Sequence, residues 1–141
     1  MAEPLQGGPS PGGAQGSVRS LLRGEGAALF AACLIVYAIW VDTPWWYFAV
    51  LFLAPDLSFI AFLAGRRVGA MVYNAAHTTI GPIIVVSAGL SAANPWLTAA
   101  AVIWAAHIGI DRAVGYGIRY PDNFEQTHLG AVGALKKATE G

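Results

Sequence analysis

Residues Trp45 to Ala64 read WWYFAVLFLAPDLSFIAFLA, twenty residues with a single charged side chain, Asp56. In helical rise they cover about 30 Å, the hydrocarbon thickness of a bilayer. The stretch opens on Trp45, Trp46 and Tyr47, the aromatic type that anchors a helix at headgroup level. Asp42-Thr43-Pro44 makes a turn before it and Gly65-Arg66-Arg67 a turn after it. Outward from these turns lie three further apolar runs, predicted to span at about 21–41, 68–90 and 96–114, with Ser91 to Pro95 as the last turn. The expected fold is therefore all-α, a four-transmembrane-helix bundle over residues 19–120.

Composition points the same way. Apolar residues make up 56% of the 141 and charged residues 11%, against about 25% charged in an average soluble domain. So sparse a charge leaves lipid as the solvent for most of the surface. Net charge is zero, which excludes the basic stripe that nucleic-acid binding needs. Cys33 is the single cysteine, so an internal disulfide is excluded. Residues 1–18 hold five glycines and three prolines with little to bury, the composition of a disordered tail. Residues 121–141 read as a C-terminal tail.

The eight basic residues are Arg19, Arg23, Arg66, Arg67, Arg112, Arg119, Lys136 and Lys137. With four spans, all eight fall on one side, and the turns around Asp42 and Asn94 carry none. Positive charge in short loops marks the cytoplasmic face, so both termini are expected there, in a multi-pass protein of a bacterial inner (plasma) membrane.

Polar residues within the runs fall at one depth. Asp56 and His107 each lie eleven residues from the outer start of their helices, and His77 lies ten from Arg67 on the inner side. At 1.5 Å per residue, each is roughly 15–16 Å deep. His107 and Asp111 are four apart, hence on one helix face, and Tyr73, Asn74 and His77 share a face of the third run. Pro55 precedes Asp56; having no amide hydrogen, it should kink the helix and leave a free carbonyl beside the carboxylate. Ionisable groups at such depth cost roughly 2.5–3.5 kcal/mol on insertion scales, so they must pair or face a wet interior.

Two imidazoles and two carboxylates on three helices suit a divalent transition metal such as zinc or iron, with His77, His107, Asp56 and Asp111 as ligands. They equally suit acid–base catalysis, with Asp111 orienting His107 and with Tyr73 and Asn74 as polarising donors to substrate. The leading functional expectation is a membrane-embedded hydrolase or isomerase acting on a lipidic or small apolar substrate. A proton- or ion-conducting homo-oligomer would use the same residues as a relay. In a non-catalytic membrane subunit they would only fasten helices together. His128, beyond the last span, is read as solvated.

Four motifs in order carry a family resemblance: Ala54-Pro55-Asp56-Leu57-Ser58, Tyr73-Asn74-Ala75-Ala76-His77-Thr78, His107-Ile108-Gly109-Ile110-Asp111-Arg112 leading to Gly115-Tyr116-Gly117, and Thr127-His128-Leu129. Over roughly residues 20–130 the chain resembles a family of small bacterial membrane proteins known as a domain of unknown function. The resemblance implies a bacterial origin and a four-helix membrane fold, and it brings no substrate or reaction.

Charge sorting yields a direct expectation. Reporters fused at Asp42 and Asn94 should read as periplasmic, and fusions at Arg66 and after Gly141 as cytoplasmic. A cytoplasmic signal at Asn94 would refute the four-span reading.

Overall fold

The computed structural model describes residues 12–123 and 125–132. Helix α1 runs Gly16–Trp40 and α2 Trp45–Phe52, continued by a 3-10 helix, Ala54–Ala64. Then follow α3 Arg66–His77, α4 Ile80–Ser91 and α5 Pro95–Val114, and a two-stranded antiparallel hairpin of β1 Gln126–Thr127 and β2 Gly130–Ala131. Gly16–Trp40, Trp45–Ala64 and Pro95–Val114 are each long and apolar enough to cross a membrane. The α3–α4 pair qualifies when its two parts, bent by 44°, are counted together. The outer surface is correspondingly apolar. Leu63 is 90% exposed, and Trp40, Met71 and Ile39 are also open, a surface that lipid covers and water would not tolerate. The chain is a mostly helical membrane protein.

Helix α5 is the hub. Asn94 caps its start, its side chain accepting from Leu97 N at 3.1 Å, and Pro95 occupies the first turn, where its missing donor costs nothing. Gly115, at φ 101°, ends it in the left-handed conformation, with its amide donating to the Asp111 and Arg112 carbonyls. Ala99, Ile103, Ala106 and Ile108 are buried along its length. It crosses α1 closely where Gly26 faces Gly109. A Cβ at Gly109 would lie 2.7 Å from the Phe30 nitrogen, so the two backbones meet only because both positions lack side chains. At the α1–α2 turn the buried Tyr37 donates to the Pro44 carbonyl at 3.0 Å, accepts from Thr43 Oγ1 at 2.8 Å, and packs edge-on against Phe48.

Two prolines break the helices where the site lies. Pro55 has no N–H, α2 stops at Phe52, and the chain tightens into an eleven-residue 3-10 helix in which Asp56 N donates to Leu53 O at 3.2 Å. Runs of this length are uncommon for 3-10 geometry. Pro82, in the first turn of α4, would clash with the carbonyl of Thr78 in a continuous helix, and Thr78 is extended (φ −91°, ψ 146°). The single run expected over 68–90 is thus two helices, and Gly81-Pro82 was the signal for the break.

Most of the stretch read as an N-terminal tail, residues 1–11, lies outside the described residues. Within its remainder, α1 already begins at Gly16, and Ala14 N donates to His128 O at 2.8 Å. The described part of the C-terminal stretch is also structured. The hairpin is held by Thr127 Oγ1, which donates to Gly130 O at 2.8 Å, over a fully buried Leu129.

Candidate metal centre

Helix α3 ends on His77, α5 carries His107 and Asp111 one turn apart, and the 3-10 helix presents Asp56 in its first turn. Their side chains meet. His77 Nε2 lies 3.3 Å from His107 Nε2, 3.4 Å from Asp111 Oδ2 and 3.8 Å from Asp56 Oδ1. His107 Nε2 lies 3.4 Å from Asp56 Oδ1 and 3.5 Å from Asp111 Oδ2. One donor atom from each of the four falls within 4.8 Å of every other. Both histidines are buried, Asp111 is mostly so, and the Asp56 side chain is 46% exposed.

The other ring nitrogens fix which atoms face inward. His77 Nδ1 is 2.9 Å from the Tyr73 carbonyl, which can only accept, so Nδ1 carries the proton and Nε2 presents a lone pair. His107 Nδ1 is buried and has no hydrogen-bond partner among the described residues. The Tyr73 ring stacks on His77 at 3.9 Å and 14°, and Phe52 meets His107 edge-on at 5.4 Å.

His77 Nε2, His107 Nε2 and one oxygen from each carboxylate therefore face one point, and His77 Nε2 does so as a lone pair. In a tetrahedral site with bonds of roughly 2.0–2.1 Å, ligand atoms lie about 3.3–3.4 Å apart. The His77–His107–Asp111 triangle, with edges of 3.3–3.5 Å, matches that spacing, and Asp56 is the looser fourth member. The group could hold a divalent metal.

Asp111 was expected either as a ligand or behind His107 as its orienting partner; its oxygen approaches Nε2 of both rings, beside the ligand atoms rather than behind the ring. Tyr73 packs on the site through its ring. Asn74 points elsewhere: its amide donates to the Arg119 carbonyl at 2.9 Å and its oxygen accepts from Arg119 N at 2.8 Å, clamping the segment after α5. That segment brings in Arg119 and Tyr116, which with Asp56, Phe59, Tyr73 and Asp111 line a partly open cavity of about 340 Å³. Nothing in the local sequence pattern shows the chain turning back to bring them there. The solvated reading of His128 is likewise corrected: its Nδ1 accepts from Ile118 N at 2.9 Å, and its own amide donates to Ile118 O at 3.1 Å.

The family whose description reads Domain of unknown function (DUF4260) matches residues 19–132. No curated protein and no solved structure matches the chain.

Burial, and after it the charge of Arg112, hold His128 below the ordinary imidazole value. A base whose folded pKa is depressed contributes stability above its unfolded pKa of about 6.5, and that contribution is lost as pH falls through the folded value. Hydrogen-exchange protection at Ile118 and across 126–131, measured against the intrinsic rate at each pH, should therefore fall on acidification below about pH 6. His128→Gln should flatten the response; protection independent of pH in the wild type would contradict it.

Proposed function

We propose that this chain, which belongs to the DUF4260 family, is a membrane-embedded metal-dependent hydrolase. It spans the bilayer four times with its basic ends in the cytoplasm. His77, His107 and Asp111 are the firm ligands of zinc or iron, and Asp56 is the adjustable fourth. The observation that carries this reading is the convergence of two imidazole Nε2 atoms and two carboxylates, with His77 Nδ1 turned away to the Tyr73 carbonyl. Positive charge at the centre of such a group stabilises it away from water.

A divalent ion held there would supply Lewis acidity toward a carbonyl or phosphoryl oxygen. The chain's own residues do the rest. Asp56, half exposed and lining the 340 Å³ cavity, is placed to take a proton from water entering there. Tyr73 and Phe52 hold the two imidazole planes and keep bulk water from their inner edges. A second cavity of about 300 Å³, lined by Leu51, Ala54, Pro55, Ala76, Ala100 and Trp104, adjoins the chain neighbours of Asp56 and His77. Its apolar walls suit the hydrocarbon part of a lipidic substrate. Proton-transfer isomerisation would use the same carboxylate. The 3.3 Å Nε2–Nε2 contact also suits a shared proton, which is what favours a relay as the second reading.

Protein purified in detergent should carry about one zinc or iron per chain by elemental analysis, as a four-ligand site implies. His107→Ala and Asp111→Ala should abolish that content. Asp56→Asn should retain most of it while losing activity, with the inserted, monodisperse state preserved. A wild-type protein that neither carries nor takes up zinc or iron, yet passes protons in vesicles, would replace the hydrolase with the relay.

A further inference from the structure

The apolar cavity of about 300 Å³ is built from the same elements as the ligands it adjoins. Ala100, Trp104, His107 and Asp111 recur at steps of four, three and four along α5, which puts them on one face. Ala54 and Pro55 lead into Asp56, and Ala76 precedes His77. Ala100 and Trp104 come before the α5 ligands, whereas Tyr116 and Arg119, which line the other cavity, come after them. The order along the bundle is therefore polar cavity, ligands, apolar cavity, with the polar one toward the end that carries Arg66, Arg67 and Arg112. A lipid in the leaflet at that end is laid out the same way, its head toward the basic residues and its chain toward the midplane.

The cavity walls are small and held in place. Three of them are the alanines 54, 76 and 100. The Trp104 ring is fixed from two sides: its Nε1 donates to the Ala76 carbonyl at 2.5 Å, and a Cβ at Gly81 would overlap its outer edge. Ala54 is exposed, and Leu53 beside it is 62% exposed, so the cavity opens toward hydrocarbon rather than water. An apolar cavity of roughly 150 Å³ holds one benzene, so about twice that volume takes one chain of roughly ten to twelve carbons. Two chains side by side do not fit.

We infer that the substrate is a single-chain amphiphile of medium length whose hydrocarbon chain fills this cavity while its reacting group meets the metal, and that Trp104 limits the chain length accepted. The inference rests on the metal centre and adds the substrate class.

The test uses the full chain in digitonin, whose ring-system tail does not fit a single-chain slot, loaded with zinc and with its metal content measured on the same sample. Alkyl hydroxamates are the probes, since their head chelates zinc and their chain can be varied. Wild type should bind dodecanohydroxamate at least about tenfold more tightly than Ala100→Phe does, the equivalent of about two buried methylenes. Acetohydroxamate should bind both alike. Comparing two proteins with one probe cancels the partition of the chain into micelles. Hexadecanohydroxamate should show no larger ratio than dodecanohydroxamate in this comparison, and Trp104→Phe should favour the longer probe. On wild type alone, dodecanohydroxamate with a diazirine at its chain end should label Leu51, Ala100 or Trp104.

Acetohydroxamate binding with labels confined to the outer surface, such as Leu63, overturns the inference and leaves the metal centre standing. So does dodecanohydroxamate bound equally by wild type and a folded Ala100→Phe. A ratio that keeps growing to hexadecanohydroxamate, or a preference unmoved by Trp104→Phe, overturns the length limit. Dodecanohydroxamate held as tightly after zinc is removed marks a structural lipid seat and overturns the substrate assignment. Protein that takes up no zinc overturns the metal centre and this inference together.

Discussion

Two histidine Nε2 atoms 3.3 Å apart, with two carboxylate oxygens 3.4–3.8 Å from them, form a knot of lone pairs inside an apolar bundle. The two carboxylates repel each other, and the repulsion is poorly screened away from water. A positive charge at the centre of the group offsets that repulsion. Much of the surrounding architecture reads as the means of keeping the four atoms together: the rings packed on the imidazoles and the Tyr73 carbonyl taking His77 Nδ1.

Helix interruption helps bring the four atoms together. Pro55 ends α2 and opens a 3-10 helix that delivers Asp56. Pro82 forces the break at Thr78, so α3 terminates on His77. There the Ala76 carbonyl, orphaned at the helix end, accepts from Trp104 Nε1 at 2.5 Å. In a membrane, unsatisfied backbone groups are tolerated only where protein or a cavity meets them. Here two broken helices meet at one site, and a side chain of α5 satisfies the break after α3.

Much of this was legible in the sequence. Span positions followed from length and hydropathy because lipid imposes a hard length scale, and Trp45–Ala64 appears with those limits. The shared depth of Asp56, His77 and His107 followed from helical rise, and i,i+4 spacing put Asp111 beneath His107. What depth could not give was rotation, which decides that Asn74 turns toward Arg119. The Gly26–Gly109 crossing was also missed, since its two halves lie in different helices and neither forms a local small-residue motif. The return of residues 116–131 over the site rests on long-range pairings, such as Arg119 with Asn74 and Thr127, that leave no periodic trace.

X-ray absorption at the metal edge of the loaded, purified chain tests the central claim most directly. The account predicts a first shell of nitrogen and oxygen only, about four light atoms at roughly 2.0–2.2 Å, with imidazole scattering from two histidines that falls to one in His77→Ala. A sulfur shell near 2.3 Å, or a spectrum unchanged by His77→Ala, would contradict it.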